Sequence, residues 1–119
     1  MNLTEIQELN NLLDRIDKTI SDYRNLNDIL VFKDKEVING MMKNLSSDIY
    51  FLEGYLDRER EEYYSTYFFH VENKKRSSTE AEKRAKHQHP FKRKLERKIN
   101  SANKVFESMR SNQSFLRRE

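Results

Sequence analysis

Apolar residues recur at alternating steps of three and four along the first part of the chain. The positions that carry this pattern are Ile6, Leu9, Leu13, Ile16, Ile20 and Tyr23. Heptad spacing of this kind, with acidic and amide residues between the apolar positions, predicts an amphipathic helix. Thr4, followed by Gln7 and Glu8, predicts a cap near its start. The pattern is lost around "RNLNDILVFKDK", where we expect a bend or short loop within residues 25–35.

The same spacing returns over a longer segment, from about Lys35 to His70. Its apolar positions are Ile38, Met42, Leu45, Ile49, Leu52, Leu56 and Tyr63. At ~1.5 Å per residue this helix is ~50 Å long, so we expect a partner helix to cover its stripe. Gly40 and Gly54 lie inside it, each costing roughly 1 kcal/mol relative to Ala. We interpret them as positions of close helix–helix contact.

A polar segment without apolar residues follows this helix and predicts a basic loop at residues 73–78. Ser77 with Glu80, or Thr79 with Glu82, forms a capping box that starts another helix. Pro90 interrupts that helix, because proline lacks an N–H group and clashes with the preceding turn. A last helix is predicted from apolar residues at helical spacing, and two more close the chain: Phe91, Leu95, Ile99, Ala102, Phe106, Met109, Phe115 and Leu116.

These elements predict an all-α fold, with no β pattern and no internal repeat. We expect an elongated helical hairpin or bundle of long amphipathic helices, forming a single domain. Its predicted regions are an acidic helical part at residues 1–72, the basic loop at 73–78, and a basic helical part at 79–119 that is broken at Pro90.

The composition favours assembly with other copies. Of 119 residues, 35% are hydrophobic and 36% charged, which leaves a thin core in a small domain. We therefore expect a homo-oligomer. The absence of cysteine is typical of a reducing cytoplasm. The start of the chain has no signal-peptide pattern, and its longest aliphatic–aromatic run, "ILVF", is far too short for a membrane span. We expect a cytoplasmic protein, in the host cytoplasm if a phage encodes it, with no membrane partner.

The net charge of +3 conceals a sharp division along the chain. Residues 1–73 hold 8 Lys and Arg against 15 Asp and Glu, a net charge of −7. Residues 74–119 hold 15 Lys and Arg against 5 Asp and Glu, a net charge of +10. A basic segment on an acidic body is typical of a polyanion-binding protein. The alternative is that the two parts attract one another, within or between subunits.

The sequence shows no catalytic set, and we predict that the protein is not an enzyme. Glycine is too rare for a phosphate-binding loop, and a cysteine nucleophile is impossible. We expect no nearby acidic residue that completes a ligand set with His87 and His89, and so no metal site and no cofactor. Glu61 and Glu62 are expected on exposed helix surface, with nothing to raise a pKa.

The stretch "REREEYYS" is the strongest binding candidate. On a helix Arg60 reaches Tyr63 and Tyr64 at i+3 and i+4. A guanidinium beside a phenol ring suits single-stranded nucleic acid, because the charge meets a phosphate and the ring a base. Tyr63 continues the apolar stripe and is expected in the core, which leaves Tyr64 as the stacking candidate.

Further basic residues form rows on the predicted C-terminal helices. Arg93 and Arg97 are four residues apart, and Lys83 and Lys86 three apart. A solvated outer face of a coiled coil is one interpretation. Such faces usually mix charge signs and this one does not, which favours phosphate contacts.

These residues resemble a known family. The order basic-x-basic-x-acid-Tyr-Tyr-Ser in "REREEYYS" is similar to a stretch in the UvsY-type recombination mediator proteins of tailed phages. The acidic helical first half, the polar loop, the helix start "TEAEKRAK" and the tail "MRSNQSFLRRE" agree with it as a pattern. The chain departs from the family at Glu61, where an apolar residue is usual, and in the loop "KKRSS", which is glycine-rich there.

The resemblance implies an all-helical subunit of a ring-like homo-oligomer, a hexamer or heptamer, that binds single-stranded DNA. Its partners would be a RecA-like recombinase and single-strand-binding protein, and the family's pair of basic DNA-contacting residues falls on Arg58 and Arg60. The hypothesis is a recombination mediator that loads the recombinase. Its predicted nucleic-acid-binding residues are Arg58, Arg60, Tyr64, Lys74, Lys75, Arg76, Lys83, Lys86, Arg93 and Arg97.

Two other hypotheses stay open. One is a non-enzymatic structural or interaction protein, such as a phage inhibitor or assembly factor, whose basic face docks an acidic protein partner. The other is a helical protein that binds or bends duplex DNA. Neither requires the mediator role, and strand-binding measurements separate all three.

Overall fold

Four helices account for the described part of the chain. The computed structural model describes the backbone of residues 1–26 and 34–118, and the side chains of residues 1–26 and 35–114. The helices are α1 (Leu3–Arg24), α2 (Asp34–Glu72), α3 (Ser78–Gln88) and α4 (Phe91–Arg118). Within these ranges there is no strand, which confirms the all-α prediction. Most of the predicted break at residues 25–35, and the side chains of Phe115 and Leu116, lie outside the described residues.

The first helix begins earlier than its sequence pattern suggested. Asn2 is the N-cap, and its side chain accepts a hydrogen bond from the Glu5 backbone N–H at 2.8 Å. The prediction of a cap at Thr4 is wrong, because asparagine is among the strongest N-cap residues and satisfies the free N–H groups first. The helix ends at Arg24, and its last turn is closed by the N–H of Asn25 donating to Ser21 O.

The other helix boundaries follow the predicted signals closely. The helix predicted from Lys35 to His70 spans Asp34–Glu72. Of the two possible capping boxes, Ser77 is the one used, and its hydroxyl accepts from the Glu80 N–H at 3.2 Å. The break at Pro90 is confirmed, since α3 ends at Gln88 and α4 begins immediately after the proline.

The chain forms two compact units. The first consists of Met1–Leu52 and Ile99–Glu119, and the second of Glu53–Lys98. In the first unit the apolar stripes of α1, α2 and α4 form a core that excludes water. Its buried hydrophobic residues are Leu9, Leu12, Leu13, Ile16, Ile20, Ile38, Leu45, Ile49, Leu52, Ile99, Ala102, Val105 and Met109.

Polar contacts join the helices within the first unit, and two of them involve buried side chains. Arg15 of α1 lies 3.3 Å from the Asp48 carboxylate on α2, and that aspartate is nearly buried. Gln113 of α4 is also buried, and its side-chain N–H donates to the backbone oxygen of Lys35 at 2.7 Å. The contacts supply partners for the Asp48 carboxylate and for the Gln113 N–H, while Gln113 Oε1 has no hydrogen-bond partner among the described residues.

The second unit has a smaller core. Its buried hydrophobic residues are Leu56, Tyr63, Ala81, Ala85 and Leu95. The two alanines on α3 are small and fully buried, so the helix packs through its backbone rather than through long side chains. Glu59 occupies the stripe position between Leu56 and Tyr63 and is only 3% exposed. A carboxylate therefore stands where the heptad pattern calls for an apolar residue.

The two glycines of α2 have open surroundings within the chain. A Cβ atom placed on Gly40 or on Gly54 would meet nothing within 4 Å among the described residues. The close helix–helix contact expected at these positions is therefore not made between the helices as far as the structure describes them. Among the residues that the structure describes, no helix combines the length and the apolar character needed to cross a lipid bilayer.

Candidate nucleic-acid interface

All ten predicted nucleic-acid-binding residues lie in the second unit. This unit has its own charge division. Residues 53–72 hold 2 Lys and Arg against 6 Asp and Glu, a net charge of −4, whereas residues 73–98 hold 11 against 3, a net charge of +8. The basic character of the chain is thus concentrated in the loop, α3 and the start of α4.

A row of one cation and two aromatic rings runs along the outside of α2. Arg60, Tyr64 and Phe68 are spaced by four residues, so they lie on one side of the helix. Tyr64 is 48% and Phe68 52% exposed, whereas Tyr63 is 7% exposed. The predicted division between a core Tyr63 and an exposed Tyr64 is confirmed. We call Arg60, Tyr64 and Phe68 the aromatic row.

The cation of the aromatic row has a partner on α4. Arg60 Nε lies 3.5 Å from Glu96 Oε1, and Lys92 Nζ lies 3.0 Å from the same oxygen. The hydrogen bond from Lys92 lowers the pKa of Glu96; burial opposes this, and the charges of Lys92 and Arg60 lower it further. One carboxylate therefore holds two cations beside the exposed ring of Tyr64.

Lys92 was not among the predicted site residues, yet it lies at the centre of this region. Its Nζ is 4.7 Å from the ring centroid of Tyr63 and 5.9 Å from that of Tyr64. A lysine over an aromatic face is stabilised by the quadrupole of the ring. Sequence offered one signal for this role, the spacing of four residues between Lys92 and Glu96, which favours an ion pair along α4.

Arg58 and Arg60 point to different sides of α2. Two residues along an α-helix correspond to a rotation of about 200°. Arg60 lies in the aromatic row and reaches Glu96, whereas Arg58 lies on an exposed face of the helix that does not contain the row. A single straight strand of DNA on one copy of the chain cannot meet both arginines in the same way.

The three cations of the basic loop differ in their exposure. Lys74 and Lys75 are exposed, whereas Arg76 is half-buried, and its Nε has no hydrogen-bond partner among the described residues. The Arg76 N–H donates to the backbone oxygen of His70 at 3.0 Å, which closes the loop onto the end of α2. Lys75 has a φ of 51°, in the left-handed region that favours glycine.

The end of α2 lies in a positive field. The pKa of His70 is lowered by burial first, and then by the positive charges of Arg76, Arg84 and Lys74. Beside it, Lys74 Nζ lies 5.8 Å from the ring centroid of Phe69, which is 46% exposed. An exposed ring thus lies next to cations at the loop, as Tyr64 does on the aromatic row.

Sequence reasoning missed Phe69, although a signal for it was present. Three consecutive aromatic residues, Tyr67 to Phe69, cannot all face the core of one helix. Because Tyr63 and Tyr67 follow the apolar stripe, the next two rings fall outside it. Phe68 and Phe69 are both about half exposed as a result.

The predicted cations of α3 and α4 divide between two grooves. Lys83 lines one groove together with His70, Arg84 and His87. Lys86 and Arg93 line another, of about 430 Å³, together with Tyr63 and Lys92. Arg97 follows Arg93 by four residues and is exposed. The structure therefore does not gather all the predicted cations on one face.

Several cations of α3 and α4 are neutralised along their own helix. Lys86 lies 2.9 Å from Glu82, and Arg84 lies 3.0 Å from Glu80, both at a spacing of four residues. The hydrogen bond and charge of Lys86 lower the pKa of Glu82. In these exposed ion pairs acidic side chains lie beside the basic ones, so the surface of α3 is of more mixed charge than expected from the sequence.

Glu59, Glu62 and His89 form a carboxylate–histidine cluster, so His89 does have acidic neighbours. His89 Nδ1 lies 3.8 Å from Glu62 Oε2, and His89 Nε2 lies 2.8 Å from the hydroxyl of Thr66. The expectation that no acidic residue accompanies His89 is wrong. The acids come from α2, which is distant in sequence but packs against the C-terminal end of α3.

Glu59 is the buried member of the carboxylate–histidine cluster. Its pKa is raised, first by burial and second by the negative charge of Glu62, while nearby positive charges offset part of the rise. Sequence reasoning placed no perturbed acid here. The signal was the position of Glu59 within the apolar stripe of α2.

Comparisons of the chain with protein-family models, with curated proteins and with solved structures find no match. The assignment of function therefore depends on the geometry of the second unit and on the residues that the chain places there.

Proposed function

We propose that this chain binds single-stranded DNA through its second unit and acts as a recombination mediator. In this role it would load a RecA-like recombinase onto DNA that is coated by single-strand-binding protein. The observation that supports strand binding is the pairing of exposed aromatic rings with cations. Lys92 Nζ lies 5.9 Å from the ring centroid of Tyr64, which follows Arg60 by one helical turn, and Lys74 lies beside Phe69. The mediator role is supported by the resemblance of "REREEYYS" to the UvsY-type proteins.

In this proposal aromatic rings contact the bases and cations contact the phosphates. Unstacked bases offer π-faces, and stacking on an aromatic side chain contributes about 1–3 kcal/mol per base. The phosphates are met by Lys and Arg, and each contact releases counterions. Burial, and after it the charges of Arg76, Arg84 and Lys74, lower the pKa of His70, and these three cations extend this attraction to the loop. Bases paired in a duplex have no free face, so single strands are the favoured ligand.

Arg58 and Arg60 have different parts in this proposal. Arg60 acts with Tyr64 and Phe68 on the aromatic row. Arg58, about 200° away around α2, meets a strand only if the DNA passes to the other side of the helix or lies on a neighbouring copy. In a ring-like homo-oligomer, a hexamer or heptamer, the strand can contact Arg60 of one copy and Arg58 of the next. Many weak sites that bind one strand together form a tight complex.

Self-association is supported by aromatic residues on the first unit. Tyr50 is 72% and Phe51 55% exposed on α2. Adjacent exposed rings are typical of protein contact surfaces. The same observation is compatible with a second candidate function, a structural or interaction protein, whose basic face would dock an acidic partner. Under either function we expect the protein to act in the cytoplasm.

Strand binding is tested by fluorescence anisotropy with a labelled single strand of about 30 nucleotides and with the matching duplex. We expect Tyr64→Ala to weaken strand binding by about five- to a hundredfold, since one stacked base is lost. Arg60→Ala should reduce the dependence on salt by about 0.7 in the log–log slope. The controls are Leu3→Ala and Arg110→Ala, an exposed apolar residue and an exposed arginine of the first unit that have no part in the proposed surfaces.

The outcomes separate the three hypotheses. Equal loss in the Leu3 and Tyr64 variants, or no strand binding at low salt, contradicts the proposal and favours a protein-docking function. A preference for the duplex favours the duplex-binding hypothesis. If the chain binds single strands tightly but does not accelerate filament assembly by a RecA-like recombinase on coated DNA, the DNA-binding site is supported and the mediator role is contradicted.

A further inference from the structure

The carboxylate–histidine cluster has a donor geometry that the proposed DNA function does not use. One ring nitrogen of His89 and one carboxylate oxygen from each of Glu59 and Glu62 lie within 4.8 Å of one another. Glu59 and Glu62 are three residues apart on α2, so both side chains leave the same side of the helix. His89 comes from the C-terminal end of α3, and the three donors converge from two elements.

Glu59 is buried without a counter-charge in direct contact. It is 3% exposed, and among the described side chains none donates a hydrogen bond to its carboxylate or forms an ion pair with it. A buried ionised carboxylate is costly unless it is paired or coordinates a metal. The neighbouring Glu62 adds a second negative charge, which increases that cost. The cluster therefore has the electrostatics of a site that is stabilised by a cation.

The contact between His89 and Thr66 orients the imidazole toward the carboxylates. His89 Nε2 lies 2.8 Å from the Thr66 hydroxyl, while Nδ1 on the other side of the ring faces Glu62 at 3.8 Å. When Nε2 carries the proton and donates it to Thr66, the lone pair of Nδ1 is directed at the cluster. Histidines that bind metals usually donate their other N–H to an acceptor in this way.

We propose that Glu59, Glu62 and His89 bind one divalent transition-metal cation, with Zn²⁺ as the preferred ion. Two carboxylates and one imidazole form a donor set that suits zinc, and three protein ligands leave a fourth position for water. Ligands in a tetrahedral zinc site are about 3.4 Å apart, given metal–ligand distances near 2.1 Å. Glu62 is half exposed and is free to make the small adjustment from 4.8 Å. This inference does not depend on the DNA function.

The test is zinc binding by the full chain after treatment with a chelator. Isothermal titration with zinc chloride measures affinity and stoichiometry, and cobalt(II) substitution reports the ligand geometry by its visible absorption. We expect one zinc per chain with micromolar or tighter affinity. The variants Glu59→Gln, Glu62→Gln and His89→Gln should each weaken binding by more than about tenfold. Circular dichroism confirms that each variant is helical.

Two matched controls separate this site from general cation binding. Glu61→Gln removes the same charge from the exposed residue between the ligands, and His87→Gln removes an exposed histidine two positions from His89. Both should bind zinc within about twofold of the wild type, whereas Thr66→Val should lose about tenfold by releasing the imidazole.

Three results would overturn the proposal. The first is the absence of saturable binding below millimolar zinc. The second is equal weakening by the ligand variants and their controls. The third is a cobalt spectrum that is unchanged in the His89 variant.

Discussion

Arg60 of α2 lies 3.5 Å from Glu96 of α4, and that same glutamate accepts a hydrogen bond from Lys92. Two cations beside the exposed ring of Tyr64 thus share one acid. The ion pairs hold the arginine in place next to the ring, but they also offset part of the positive charge that a phosphate would meet. Glu96 therefore sets both the position and the strength of this part of the proposed DNA surface.

We predict that Glu96→Gln strengthens binding to single-stranded DNA. A partly exposed ion pair contributes about 0.2–1 kcal/mol, so releasing Arg60 corresponds to an affinity increase of about 1.5- to fivefold. Anisotropy titrations at low and moderate salt measure the change. The control is Glu107→Gln in the first unit, which alters the net charge equally and removes the Glu107–Arg110 pair. Equal strengthening in both variants would show that only net charge matters.

The lowered pKa of Glu96 predicts how stability depends on pH. The hydrogen bond from Lys92 makes the ionised form more stable in the folded chain than in the unfolded chain. This contribution is fully present above the ordinary value near 4.5 and is lost as pH falls through the lowered folded-state pKa. Glu96→Gln should therefore be less stable than the wild type at pH 7, by about 0.2–1 kcal/mol for these partly exposed groups. Thermal unfolding at neutral and acid pH should show the two proteins converging at the acid end.

Periodicity predicted the helices and most of the core because burial of an apolar stripe is a local property of each helix. Leu9, Ile38 and Leu95 are fully buried, as their spacing requires. The Tyr63/Tyr64 division was predictable for the same reason, since adjacent residues on a helix face different ways. The cap at Asn2 was missed because two capping signals lie close together, and the earlier one begins the helix.

The parts of the site that could not be predicted all depend on contacts between distant segments. Glu96 meets Arg60, and His89 meets Glu62, across turns whose geometry no spacing rule gives. The buried Glu59 had a local signal, but its meaning depends on what packs against it. The packing of helices determines which charges become neighbours, and a single sequence read in isolation does not fix it.

We predict that Lys75→Gly stabilises the chain by about 0.5–1 kcal/mol. Lys75 has a φ of 51°, where a side chain costs about 1–2 kcal/mol, partly offset by the greater freedom of glycine in the unfolded chain. Lys75→Ala removes the same charge without relieving the backbone and should show no gain. If the lysine contacts a phosphate, both variants lose strand affinity equally. Denaturant unfolding measures the effect of the backbone, and anisotropy measures the effect of the charge. A Lys75→Ala variant as stable as Lys75→Gly would contradict the backbone argument.

A ring-to-aliphatic change at Phe69 distinguishes stacking from protein contact. Phe69→Leu keeps an exposed apolar side chain but removes the flat face that a base requires. We expect about fivefold or greater loss of strand affinity, because stacking contributes about 1–3 kcal/mol per base, with an unchanged sedimentation profile. Val37→Ala, at an exposed apolar position of the first unit, serves as the control and should leave strand affinity unchanged. Retained strand affinity together with altered sedimentation would assign Phe69 to contacts between chains instead.

Gly40 provides the test of self-association. Among the described residues a Cβ at this position meets nothing within 4 Å, although glycine costs the helix about 1 kcal/mol relative to alanine. No contact in the described part of the chain explains that cost, whereas a closely approaching helix of another copy would. Gly40 and Phe51 are eleven residues apart, about three helical turns, and so lie on the same face of α2. We therefore predict that Gly40→Ala raises the stability of the isolated chain by about 1 kcal/mol and weakens its association. Sedimentation across a concentration series measures the second effect, with Ser46→Ala on a different face as the control. A variant that gains stability and still assembles as the wild type does would place the contact between copies elsewhere.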